Sequence, residues 1–111
     1  GNGSLTATAP DWSDGDSYGI GSMGNIIIEG DVEVIAQGGN IANDYDSYGI
    51  SSQKGVTIKE GANVTAISGN GGYSSYGIKA SGLSVQSAQV KATSGTARVY
   101  NAGISVSNCD I

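Results

Sequence analysis

Apolar residues along the chain fall into short runs of alternating apolar and polar positions, separated by glycine and asparagine. One set reads Ile20, then Ile26 and Ile28, then Val34 and Ala36. The next reads Ile50, Val56 and Ile58, Val64 and Ala66, and a third reads Ile78, Leu83 and Val85, Val90 and Ala92. Alternation with a period of two turns one set of side chains inward and leaves the intervening Ser, Thr, Lys, Glu and Gln outward, which predicts short strands. Between the runs stand Gly24-Asn25, Gly30, Gly38-Gly39-Asn40, Gly55, Gly61 and Gly69 to Gly72, residues that turn a chain at low steric cost.

A tetrapeptide fixes the alignment. Ser-Tyr-Gly-Ile occurs at Ser17–Ile20, Ser47–Ile50 and Ser75–Ile78, with a degenerate copy at Asn101-Ala102-Gly103-Ile104. The intervals are 30, 28 and 26 residues, a spacing that marks a repeat architecture. Leu5-Thr6-Ala7 matches the Val-x-Ala run of a preceding unit, and Ile104, Cys109 and Ile111 match the first two runs of a following one. Three strands and three corners per repeat predict an all-β, right-handed, single-stranded parallel β-helix. It would have about four coils of 26–30 residues, within one domain over residues 1–111. An antiparallel sandwich is the alternative; it explains the strand lengths but not why one residue type recurs in one slot of every repeat.

A single rung buries too few aliphatic side chains to offset the entropy of ordering its backbone, so stability must be collective across stacked rungs. Neither end reads as a cap. The chain is therefore expected to be a fragment or module of a longer solenoid, with self-association through the open ends.

Composition narrows the function. Glycine supplies 19 of 111 residues, and the formal net charge is −5. That balance argues against nucleic acid, which requires a basic footprint. No apolar stretch is long enough to span a membrane. There is no histidine, so neither a Ser-His-Asp arrangement nor a His-type zinc site can be built. The single cysteine, Cys109, aligns with Leu83 and Val56 and is expected to be a buried small hydrophobe. Arg98, the only arginine, lies far along the chain from the acidic residues. The reading is a chain without catalytic residues and without a required cofactor, a polysaccharide lyase or hydrolase being the least favoured option.

Candidate chemistry collects in the loop before each tetrapeptide. Asp14 and Asp16 precede the first copy, and Asp44 and Asp46 occupy the matching slots before the second. Stacking would bring these four carboxylates together, where calcium, which takes hard oxygen ligands, is the candidate cation. Turn-forming aspartates that accept backbone hydrogen bonds are the competing reading. Trp12, Tyr45, Tyr73 and Tyr100 share that loop and are the candidate ligand-binding residues, flat apolar rings beside polar groups suited to a sugar. Tyr18, Tyr48 and Tyr76, within the tetrapeptides, are expected to form a stacked ladder on the same side as Ile20, Ile50 and Ile78, with their hydroxyls in solvent.

The succession Tyr-Gly-Ile, glycine corner, Ile-x-Ile, glycine, Val-x-Ala, then a Gly/Asn loop resembles the repeats of surface and secreted β-helix proteins of anaerobic Gram-positive bacteria, some of them carbohydrate-binding-domain-like. The resemblance spans roughly residues 5–111. It implies an extracellular or cell-surface bacterial setting and a structural or adhesive role with polysaccharide as partner. A passive stalk or spacer without a ligand is the alternative.

Overall fold

The computed structural model describes residues 3–11 and 15–110. Among the described residues it contains ten strands and no helix: β1 (Gly3–Thr8), β2 (Ser17–Ser22), β3 (Ile26–Glu29), β4 (Val32–Gln37), β5 (Asp46–Ser52), β6 (Gly55–Lys59), β7 (Asn63–Ile67), β8 (Ser74–Gln86), β9 (Gln89–Thr93) and β10 (Tyr100–Asp110). Every strand pairing is parallel. The chain is a β-solenoid of about four turns whose strands stack in three columns. One column is β1-β4-β7-β9. A second stacks β2, β5 and the first parts of β8 and β10, and a third stacks β3, β6 and the later parts of β8 and β10.

The register matches like with like. Ile20 sits on Ile50, Ile50 on Ile78 and Ile78 on Ile104; Ile26, Val56, Leu83 and Cys109 form another row. Leu5, Val34, Val64 and Val90 line a third, beside the alanine row Ala7, Ala36, Ala66 and Ala92. The middle members form the core: Ile50, Ile58, Ile78, Ala36, Ala66 and Val64 are wholly buried. Full burial of such a side chain contributes about 1.5–3 kcal/mol. The outer rungs lack a neighbour on one side, and Leu5 and Ile104 are 54% and 40% exposed. Cys109 keeps its expected register over Leu83 but is exposed for the same reason, not buried.

Two corners differ between rungs. In coil two, four residues separate Ser51 from Val56, whereas coil three is one residue shorter. The shorter link stays extended, so β8 runs through both columns as one strand of 13 residues. The Lys54 carbonyl accepts amides from both Ser81 and Gly82 and absorbs the mismatch. The corner between the third column and the β1-β4-β7-β9 column needs a left-handed residue. Gly30, with φ of 88°, supplies it in the first coil, and Glu60 and Ser87 adopt φ of 61° and 50° in the next two, a conformation that costs a side-chain-bearing residue roughly 1–2 kcal/mol.

The tetrapeptide glycine has a packing role that alternation alone does not reveal. A Cβ on Gly49 would lie 2.6 Å from the Ile67 amide nitrogen and 2.7 Å from the Gly77 carbonyl oxygen. Gly19 and Gly77 meet the ends of β4 and β9 in the same way. Here the cross-section is pinched until backbone meets backbone. Both Gly49 and Ile50 face the interior, so alternation breaks at the glycine and shifts the residues before it. Ser47 consequently points inward and Tyr48 outward, whereas strict alternation had put the tyrosines on the isoleucine side. The inward serines are satisfied by the loop glycines: Ser47 Oγ donates to the Gly39 carbonyl at 2.7 Å and accepts the Gly69 amide at 2.9 Å.

Gly49→Ala is expected to destabilise at or beyond the upper end of the about 1–3 kcal/mol that overpacking costs. Gly82→Ala, whose Cβ would meet only the Asn108 carbonyl at 3.8 Å, is expected to stay within about 0.5 kcal/mol of wild type. Urea denaturation of both variants checks the contrast, and equal losses would refute the pinch.

Candidate functional site

The loops before the tetrapeptides stack on one another, held by backbone and side-chain ladders. The Asn40 amide donates to Asp11 Oδ1 at 3.0 Å, the Asn70 amide to Asn40 Oδ1 at 2.9 Å, and the Thr96 amide to Asn70 Oδ1 at 3.0 Å. Each side-chain oxygen thus takes up an amide of the next rung, which keeps the loop polar groups paired as strands do. Ile41, absent from the repeat alignment, is buried at this corner and donates its amide to the Asn70 carbonyl at 2.7 Å.

Asp16 and Asp46 are divided from Asp44 rather than gathered with it. Asp16 Oδ1 accepts the Asp46 amide at 2.7 Å, confirming that these two share a slot. Their second oxygens face the tetrapeptide tyrosines: Tyr18 donates to Asp16 Oδ2 at 3.3 Å, and Tyr48 to Asp46 Oδ2 at 2.9 Å. Asp44 is ion-paired with Arg98, 54 residues further along. Distance along the chain had set Arg98 apart from the acidic residues; the fold brings it to one of them. Among the described residues, no group of three or more His, Cys, Asp or Glu side chains comes together as a metal site would require. Asp14 and Trp12 lie outside the described residues.

The Arg98 contact was missed because it crosses two rungs, and strand periodicity says nothing about loop side chains. One signal was present: the intervening rung carries Gly71 and Gly72 here. Gly72 packs directly on the Asn43 carbonyl, with no room for a side chain.

The aromatic residues occupy two separate places. Tyr18, Tyr48 and Tyr76 form the expected ladder, with ring centroids 4.9 and 5.8 Å apart and planes within 7° and 17°, but on the outer face. Lys79 Nζ lies 5.2 Å from the Tyr76 ring centre. Tyr45 and Tyr73 occupy equivalent slots, the Tyr73 amide donating to the Tyr45 carbonyl at 3.0 Å. Tyr100 falls one position along, pairing with Ser74, and meets Tyr73 edge to face at 5.9 Å and 66°. Tyr45, Tyr73 and Tyr100 are 40%, 40% and 56% exposed. Beside Tyr45 opens a concavity of about 660 Å³ lined also by Ala42, Asn43, Asp44 and Arg98.

No protein-family model, curated protein or solved structure matches this chain.

Burial raises the Tyr48 phenol pKa, and the Asp46 carboxylate that accepts its hydrogen bond raises it further, with Asp16 adding to the effect. Tyr18 is raised by burial and by Asp16. An unfolded chain loses phenol protons near the ordinary value of 10.0, before these two folded tyrosines do. Their contribution to stability is therefore complete below about pH 10 and lost as pH rises above it. Melting temperature followed from about pH 9 to about pH 12 should fall less steeply for Tyr48→Phe than for wild type; parallel curves would refute the coupling.

Proposed function

We propose that the chain is a structural and adhesive module of a bacterial cell surface, and that it binds polysaccharide along the loop edge formed by Tyr45, Tyr73 and Tyr100. The observation that carries this reading is the Tyr73–Tyr100 pair, braced edge to face while both rings stay open to solvent. Rings held by each other lose little further freedom on binding, and they offer an apolar platform to the C–H face of a sugar. The concavity beside Tyr45 supplies hydroxyl partners in Asp44, Asn43 and Arg98, the combination of apolar wall and few polar groups that small-ligand sites use. Trp12 joins the proposal through its place in the equivalent loop of the first coil.

Calcium enters this reading only as a partner of Asp16, Asp44 and Asp46, together with Asp14. There it would compete with the Asp46 amide, two tyrosine hydroxyls and Arg98. Pairing of solenoid ends between copies belongs to the same proposal, supported by the exposure of the inward residues Leu5 and Ile104. A stalk or spacer is the second reading, favoured by the unbroken stacking of equivalent residues through all three columns.

A glycan array probed with the whole chain, with and without millimolar calcium, separates the two readings. The adhesive reading expects binding to a defined set of polysaccharides, weakened by about tenfold or more, equal to about 1.4 kcal/mol, in Tyr73→Ala and in Tyr45→Ala. Binding to no glycan in either condition leaves the stalk.

A further inference from the structure

The tyrosine ladder on the outer face is separate from the proposed sugar edge and has its own chemistry. Tyr18 and Tyr48 lie almost parallel, ring centres 4.9 Å apart, on strands locked in register by Ser17–Ser47 and Ile20–Ile50 pairing. Each phenol donates its proton to a carboxylate on its own strand or immediately before it, Asp16 for Tyr18 and Asp46 for Tyr48. Tyr18 is 43% exposed, so an oxidant can reach the pair. We propose that Tyr18 and Tyr48 are a site of oxidative modification, joined as an intramolecular dityrosine when a haem peroxidase supplies oxidising equivalents from hydrogen peroxide.

The atoms balance as follows. Each phenol gives one electron to the peroxidase and its hydroxyl proton to the neighbouring aspartate. The two ring radicals couple through one carbon ortho to each oxygen, forming a single carbon–carbon bond. The hydrogens on those two carbons then shift to the oxygens as the rings regain aromaticity. The pair loses two hydrogen atoms, and one peroxide becomes two waters. At neutral pH both phenols are fully protonated, since burial and the aspartates raise their pKa values. Electron loss must therefore be accompanied by proton loss, which is the role of a base held within hydrogen-bond reach.

Other tyrosine pairs lack this combination. Tyr48 and Tyr76 are further apart, at 5.8 Å. Ser74 takes the aspartate slot beside Tyr76, and the Lys79 ammonium near that ring opposes removal of an electron. Tyr73 and Tyr100 meet at 66°, edge against face.

The whole chain would be treated with a plant haem peroxidase and limiting hydrogen peroxide, then cleaved after glutamate. Cleavage at Glu29, Glu33 and Glu60 puts Tyr18 in fragment 1–29, Tyr48 in 34–60, and Tyr73, Tyr76 and Tyr100 in 61–111. The expected product is fragment 1–29 joined to 34–60, lighter by two hydrogen atoms and showing dityrosine fluorescence. It should be absent in Tyr18→Phe and in Tyr48→Phe, and should form about tenfold more slowly in Asp46→Asn. Circular dichroism confirms that each variant is folded. Links confined to 61–111, links only between chains, or a 1–29 to 34–60 link that persists in Tyr48→Phe through Tyr45 would each overturn the proposal. An undiminished rate in Asp46→Asn would overturn the carboxylate's role as base.

Discussion

Parallel in-register stacking is the constraint on which the rest of this structure depends. Strands in one column lie about 4.8 Å apart, so each paired strand residue sits over its equivalent in the next rung and each column must tolerate its own kind. Aliphatic residues do so readily, and the isoleucine, valine and alanine rows make a continuous core. Tyrosines do so by stacking, and asparagines by passing one side-chain oxygen to the next rung's amide. Carboxylates are the awkward case. Asp16 and Asp46 coexist because one accepts the other's amide and both receive a tyrosine hydroxyl; Asp44 is held by Arg98.

The cross-section follows from a second, smaller constraint, the glycine inside the tetrapeptide. Where Gly19, Gly49 and Gly77 meet the ends of β4, β7 and β9, no side chain fits between backbones. That pinch turns Ser17, Ser47 and Ser75 inward, where all three are buried. Ser17 and Ser47 hydroxyls reach Gly39, and those of Ser47 and Ser75 reach Gly69, which stitches the loops to the strands. It also turns the tyrosines outward. The serine and tyrosine of the repeat therefore exchange the roles that alternation would give them, and the outer face gains an ordered aromatic row beside carboxylates. The edge that positions Tyr73, Tyr100 and Arg98 is built from the loops so stitched.

Much of the fold was legible in the residues. Rows such as Ile26-Val56-Leu83 and Ala36-Ala66-Ala92 could be aligned from spacing alone, because these inward slots carry apolar side chains in every rung and the period is short. Cys109 was placed in the right row, yet burial depends on a covering rung as well as on direction, and it is exposed. The candidate site was legible only as a neighbourhood. Tyr45 and Tyr73 share a slot as their positions indicate, but Tyr100 enters the next slot, and Arg98 arrives from two rungs away.

The sequence by itself determined the number of turns, the three columns and the residues that fill them, since repetition and alternation are local properties that stacking only multiplies. The tertiary structure decided which way the tetrapeptide faces, because a backbone contact at Gly49 with Ile67 and Gly77 overrides the period of two. It also decided which carboxylate meets which partner. Those contacts join loops of different rungs, and their geometry depends on loop length and on glycines that clear a path, neither of which a periodic pattern encodes.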